Sequence, residues 1–149
     1  MKYLLLMQYS IKDLKTEGVP AWTPQEIQKN IEFLQRFNQE LSDAGELVET
    51  IPLVGPDQAR GVSARKNGPP VISDGPFPET KEFLGGLWII DVETTERAYE
   101  IAGRASAMPG RGGVPANMPI EVRQVMGRPS PATLEIPTPA TSIPPRPSR

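Results

Sequence analysis

Two segments of the chain carry apolar residues on both faces of a strand, and they constrain the fold more than any other feature. They are Tyr3 to Tyr9 and Leu87 to Val92. A strand of this kind must be covered on two sides. Helices can cover one face of the resulting sheet, so the other face needs a second layer, and a second copy of the chain is the simplest one. These residues therefore predict a homodimer that packs sheet against sheet.

A long amphipathic helix follows the first of these strands. Thr23-Pro24-Gln25-Glu26 is typical of a helix start, with a capping threonine, proline in the first position and a carboxylate placed to complete a capping box. Gly45 stands where glycine ends helices. Between them, apolar side chains recur at spacings of three and four: Ile27, Ile31, Leu34, Phe37, Leu41 and Ala44.

The rest of the chain continues as alternating strands and one more helix. Pro52 suits an edge strand, and Asn67-Gly68 indicates a hairpin. Gly85-Gly86 is interpreted as the end of a polar loop before the second apolar strand. The predicted pieces after the first helix are a strand at 46–53, extended pieces at 59–65 and 70–73, a strand at 87–92, a helix capped by Thr94 or Thr95, and a strand at 119–126. This is an α+β order, βαββαβ with an inserted hairpin.

The segment before the second apolar strand also carries a family resemblance. Asp74-Gly75-Pro76-Phe77, then Glu79-Thr80-Lys81-Glu82, then Leu84-Gly85-Gly86 resembles the DGPF group of YCII-related proteins, and the similarity extends over most of residues 1–125. The resemblance implies a ferredoxin-like fold with an antiparallel sheet that pairs into a dimeric α/β barrel. It also implies a possible link to extracytoplasmic-function sigma factors, because genes of this group often lie beside them in bacteria.

The wider YCII-related group is associated with a histidine and aspartate pair that serves lyase or dehalogenase chemistry. This chain has no histidine, and Met108-Pro109 stands where those relatives place Asp-Pro. The chemistry attached to that pair is therefore not expected here.

Composition narrows the possible chemistry further. The chain has no cysteine, which with the missing histidine argues against thiolate nucleophiles, imidazole catalysis and the usual zinc sites. We expect no cofactor and no metal. A net charge of -2 gives no basic footprint for nucleic acid.

Neither end of the chain predicts a membrane segment. The apolar start Met1 to Met7 is too short for a signal peptide and lacks a cleavage site, so it is interpreted as a strand in a soluble, cytoplasmic protein. Residues 1–127 are expected to form the YCII-related/DGPF domain. Residues 128–149 hold seven prolines and form a predicted tail. That tail is either disordered, an arm over the partner or the site, or a ligand for a proline-recognising domain.

Asp74 is the candidate catalytic residue. Burial beside Phe77 and Trp88 would raise its pKa and allow general acid or base chemistry. The alternative is a structural carboxylate that accepts amide hydrogen bonds within its own turn.

Six further residues are candidates for substrate binding. Lys81 could approach Asp74 or a bound anion, or belong to a solvated loop with surface ion pairs. Arg123 shares a strand face with Glu121, so the two either pair across the dimer interface or help to hold a carboxylate. Tyr9 either offers a hydroxyl to the cavity or packs in an interface. The full set is Tyr9, Phe77, Glu79, Lys81, Trp88 and Arg123.

Three functions remain open at this point. The first is a homodimer with a small-molecule pocket between sheet and helices, acting as a cofactor-free, lyase-like or isomerase-like enzyme through Asp74. The second is a non-catalytic sensor or accessory protein linked to sigma-factor regulation. The third is a structural dimer without a ligand.

Overall fold

A computed structural model of the protein describes residues 1–13, 21–75 and 81–127. Four antiparallel strands form one sheet in the order β2-β5-β1-β6, and β3 pairs with β4 in a separate hairpin. The elements are β1 (Lys2–Ser10), α1 (Pro24–Asp43), β2 (Leu47–Pro52), β3 (Arg60–Ser63), β4 (Val71–Asp74), β5 (Glu82–Asp91), α2 (Thr95–Ser106) and β6 (Ile120–Gln124). This confirms the predicted ferredoxin-like α+β fold with its inserted hairpin, and β2, which ends in Pro52, is an edge strand.

The first helix begins and ends where its sequence signals predict. The Thr23 side chain accepts a hydrogen bond from the Glu26 amide at 3.2 Å, and the Glu26 carboxylate accepts one from the Thr23 amide at 2.8 Å. Gly45, just beyond the end, has φ = 71°, which glycine adopts without the cost that a side chain would add.

The core lies between the two helices and one face of the sheet. Trp88 in β5 meets Phe37 of α1 edge to face, with ring centroids 5.9 Å apart, and its indole N–H donates to Asn38 Oδ1 at 2.9 Å. The buried residues include Tyr3, Leu5, Phe37, Leu41, Trp88, Ile90, Ala98, Ile101 and Ala105. The sheet face opposite this core carries half-buried apolar side chains from β1, β2 and β5: Leu4, Leu6, Ile51, Leu84, Leu87 and Ile89.

The prediction that Gly85-Gly86 ends a loop is wrong. Strand β5 already begins at Glu82, and both glycines lie inside it. Met7 pairs with Gly86 but Gln8 pairs with Leu84, so Gly85 is the extra residue of a β-bulge. Glycine inside a strand often marks such a bulge or a close approach of another group, and at Gly85 it marks both.

Neither described helix has the length and hydrophobicity that crossing a bilayer requires.

Candidate functional site

The candidate site is a cleft of about 670 Å³ at the end of the sheet where β1 finishes and β5 begins. It lies on the helix side of the sheet, because Tyr9 points to the same face as the buried Tyr3 and Leu5. Segments far apart in the chain build it, including Tyr9, Trp22, residues 53–57, Phe83 and residues 110–111 and 114–119. This volume falls within the roughly 300–1,000 Å³ typical of small-molecule sites.

A stacked aromatic pair forms one wall of the cleft. The rings of Tyr9 and Phe83 have centroids 5.6 Å apart and planes inclined by 23°. Gly85 makes room for the tyrosine, because a Cβ at that position would lie 1.9 Å from Tyr9 Cε2. The β5 bulge therefore fixes the position of the Tyr9 ring.

The Tyr9 hydroxyl has a weak partner. It donates to Met7 Sδ at 3.5 Å, and a thioether sulfur is a poor acceptor. Burial raises the pKa of Tyr9, so the phenol remains protonated and keeps its proton for donation. The hydroxyl can therefore serve a better acceptor in the cleft.

The loop between α2 and β6 forms another wall, and several hydrogen bonds hold it in place. Asn30 of α1 donates to the Pro109 carbonyl at 2.8 Å, and the Ala116 amide donates to the Met108 carbonyl at 2.8 Å. The Gly112 amide donates to Glu26 Oε1 at 2.8 Å. Hydrogen bonds from the Thr23 and Gly112 amides lower the pKa of Glu26. One carboxylate thus caps α1 and ties the cleft wall to it.

The mouth of the cleft combines exposed apolar side chains with a few charges. Leu53, Val54 and Val114 are 46%, 69% and 60% exposed, and all three line the cleft. Exposed apolar residues gathered around a concave surface are typical of a binding groove. The ionised groups among the lining residues are Asp13, Asp57 and Arg111.

The structure places Asp74 outside this cleft, at the end of β4 in the separate hairpin. Its side chain is 93% exposed, and its carboxylate pairs with Arg60 Nε at 3.2 Å. The burial on which the general acid or base hypothesis depended is absent at this position.

The other sequence-predicted residues are spread over the molecule. Tyr9 lines the cleft, whereas Trp88 lies in the core with its N–H bound to Asn38. Lys81 is exposed just before β5, and its backbone carbonyl accepts a hydrogen bond from the Ile11 amide at 3.1 Å. Phe77 and Glu79 lie outside the described residues, as does the predicted tail at 128–149.

Arg123 lies on the sheet face opposite the cleft. Its Nε is 3.6 Å from Glu121 Oε1, and Gln8 Nε2 donates to Glu121 Oε2 at 2.8 Å. Glu121 and Arg123 thus share a strand face, as their spacing predicts, and they pair within one chain.

A second cleft, of about 550 Å³, lies at the other end of β5 and is polar. There Arg97 forms two hydrogen bonds of 2.8 Å with the two carboxylate oxygens of Glu46. The guanidinium lowers the pKa of Glu46 mainly through these bonds. No group of three or more carboxylates placed to hold a metal ion occurs among residues 1–13, 21–75 and 81–127.

Sequence reasoning missed most of the cleft. Trp22 stands immediately before the capping box and Phe83 two residues before the glycine pair, and these neighbouring signals indicated only a helix start and the end of a loop. Nothing in the sequence between α2 and β6 showed that this segment reaches Glu26 and lines the cleft.

Comparison with known proteins identifies the family. A family model of the YCII-related domain matches residues 1–121. The chain belongs to the YCII-related family. The match spans every residue that lines the cleft beside Tyr9, from Tyr9 to Pro119. This YCII-related protein is also 32% identical over 97 residues to an uncharacterised protein from Rhizobium meliloti (strain 1021), a similarity that covers 64% of the chain and 77% of that protein.

Proposed function

We propose that this YCII-related protein is a homodimer that binds a small molecule in the cleft beside Tyr9. The observation that carries the proposal is the cleft itself, about 670 Å³ in volume, with an aromatic wall and exposed apolar side chains at its mouth. Exposing Leu53, Val54 and Val114 to water costs free energy that a bound ligand would recover.

The opposite sheet face supports the homodimer. Apart from Ile51 of β2, its apolar side chains lie on the central strands β1 and β5, whereas the charged Glu49, Glu121 and Arg123 lie on the edge strands β2 and β6. An apolar centre with a polar rim is the usual organisation of a protein interface. Both helices pack on the other face, so a second copy of the sheet is the simplest cover.

A cofactor-free reaction of lyase or isomerase type through Asp74 remains a prediction. The cleft beside Tyr9 does not include Asp74, and the Arg60 ion pair gives that exposed carboxylate a structural partner. Binding without catalysis, as in a sensor or accessory protein, fits an apolar cleft better. A sigma-factor link and a cytoplasmic location also remain predictions.

A thermal-shift screen with small organic molecules tests the binding proposal. We expect at least one compound to raise the Tm of the wild-type protein and to lose this effect in Ala116→Phe, whose ring fills the cleft. Ala107→Phe is the matched control, because Ala107 is an exposed residue beyond the end of α2.

Two outcomes would contradict the proposal. One is a screen in which no compound stabilises the wild type, and the other is stabilisation that survives in Ala116→Phe while that variant is folded by circular dichroism. The same screen on Asp74→Asn tests whether Asp74 contributes to ligand binding. If the ligand stabilises this variant as much as the wild type, Asp74 is not part of the binding site.

A further inference from the structure

The lining of the cleft restricts the chemistry of its ligand. Tyr9 and Phe83 bring two stacked rings to the wall, and Trp22 adds a third aromatic ring to the lining. The remaining described side chains include Leu53, Val114 and Met118. Aromatic rings interact favourably with other rings in offset or edge-on geometry. A flat aromatic molecule therefore fits this lining better than a flexible polar one.

The charges at the mouth disfavour an anion. Asp13 and Asp57 contribute two carboxylates, and Arg111 contributes one guanidinium. The Arg111 guanidinium is close enough to Glu26 to help lower the pKa of the Glu26 carboxyl. Part of the positive charge of Arg111 is therefore already balanced by Glu26. Among the described lining side chains, a ligand carboxylate would meet more negative than positive charge, and it would lose its hydration there.

One polar contact remains available on the aromatic wall. The Tyr9 hydroxyl donates to the Met7 thioether at 3.5 Å, which is long and weak for an O–H donor. An oxygen or ring nitrogen of a ligand would be a better acceptor. Gly85 and Phe83 hold the ring in place, so the O–H bond reaches such an acceptor by rotating about the Cζ–O bond.

We propose that the cleft takes a neutral, flat aromatic molecule that carries a hydrogen-bond acceptor, and that the Tyr9 hydroxyl donates to this acceptor. The inference rests on the proposed binding function and adds to it the class of ligand. It also predicts that the cleft binds neutral aromatic compounds more tightly than aromatic acids.

Three probes that share a bicyclic aromatic skeleton test the two parts of the inference. Quinoline is neutral near pH 7 and has a ring-nitrogen acceptor, naphthalene lacks the acceptor, and 2-naphthoate carries a negative charge. Titration of the full chain, followed by amide chemical shifts, should give the tightest binding for quinoline and the weakest for 2-naphthoate. Tyr9→Phe keeps the ring and removes the hydroxyl. It should weaken quinoline roughly three- to tenfold, as expected for one net hydrogen bond, and leave naphthalene unchanged.

The possible failures are distinguishable. If 2-naphthoate binds more tightly than quinoline and Ala116→Phe abolishes its binding, the binding function stands and the neutral ligand class is wrong. If Tyr9→Phe binds quinoline as tightly as the wild type does, the assigned hydrogen bond is wrong. If no probe binds the wild type, or if binding persists unchanged in folded Ala116→Phe, the inference and the use of this cleft both fail.

Discussion

At the residue scale, the missing side chain of Gly85 decides where Tyr9 lies. The tyrosine ring occupies the space that a Cβ would need, and it stacks on Phe83. Sequence reasoning selected Tyr9 as a candidate but interpreted Gly85 as a loop residue. The bulge depends on the pairing of β1 with β5, which are 70 or more positions apart, so no local pattern could reveal it.

Gly85→Ala should therefore reduce stability and ligand binding more than the size of one methyl group suggests. The added methyl group would collide with the Tyr9 ring, and we expect a loss of about 1–3 kcal/mol in the free energy of unfolding, the usual cost of overpacking. Urea denaturation measures the stability. Quinoline titration of the same variant should show weaker binding, because the ring no longer lies where the cleft requires it.

Gly103→Ala is the matched control. Gly103 lies in α2 with no atom within 4 Å of the position of an added Cβ, so alanine should stabilise the protein by roughly 0.5–1 kcal/mol. If Gly85→Ala were as stable as the wild type and bound ligand equally, the close approach to Tyr9 would be unimportant.

The ion pair of Glu46 with Arg97 predicts a pH dependence of stability. The pKa of Glu46 is lowered in the folded protein, chiefly by its hydrogen bonds with Arg97. Its contribution is therefore complete above the ordinary glutamate pKa of about 4.3 and is lost as pH falls through the lower folded-state value. Glu46→Gln should cost about 1 kcal/mol near neutral pH, a modest value because the pair is partly exposed, and almost nothing in strong acid.

Glu100→Gln provides the comparison, because Glu100 is the more exposed partner of the same guanidinium, at 65% against 18% for Glu46. Its loss should cost clearly less near neutral pH. Equal costs for the two variants near neutral pH, or a Glu46→Gln cost that grows toward low pH, would contradict this assignment. Urea denaturation at several pH values makes the measurement.

At the element scale, the predictions succeeded where the signals are local. The cap of α1, the hairpin and the edge position of β2 all follow from residues within a few positions of one another. Of the apolar stripe predicted for α1, Phe37 and Leu41 are buried, whereas Ile31 and Ala44 are exposed. The start of β5 and the fold of the loop after α2 depend on distant partners, and these were wrong or missing. Asp74 illustrates the same limit. Its partner Arg60 can be identified only when the pairing of β3 with β4 is known.

The link between α1 and the cleft wall gives a prediction for this loop. Glu26→Ala removes the acceptor of the Gly112 amide, so that amide should exchange its hydrogen faster in the variant. Ligand binding should weaken with it. In the wild type the same exchange should accelerate as pH falls through the lowered pKa of Glu26, beyond the intrinsic pH effect on exchange.

Glu32→Ala is the control on the same helix, because Glu32 is exposed and its described hydrogen bond is with Gln28. It should leave the Gly112 amide unchanged. Equal Gly112 exchange in Glu26→Ala and the wild type would show that Glu26 does not hold the wall.

At the scale of the whole molecule, two apolar strands with α1 and α2 on the same side explain the architecture of the described residues. The fold was predictable because strand order and hydrophobic pattern fix the layers. The cleft was not predictable, because its walls come from five separate parts of the chain that meet only after folding.

The proposed dimer predicts that a charge on the open sheet face separates the subunits. Leu87 lies at the centre of that face, beside Leu6 and Ile51. Leu87→Lys should raise the dimer dissociation constant on the order of 100-fold, because an unpaired charge would be buried in the interface. Tyr99→Lys, an exposed position on α2, should leave association unchanged.

Sedimentation equilibrium of the wild-type chain over a wide concentration range is the most direct test of the proposed homodimer, in which two sheets pack face to face. The account predicts the mass of two chains, about twice 16.3 kDa, down to low micromolar concentration, as expected for a stable interface. A mass of 16.3 kDa that persists at high concentration would contradict it.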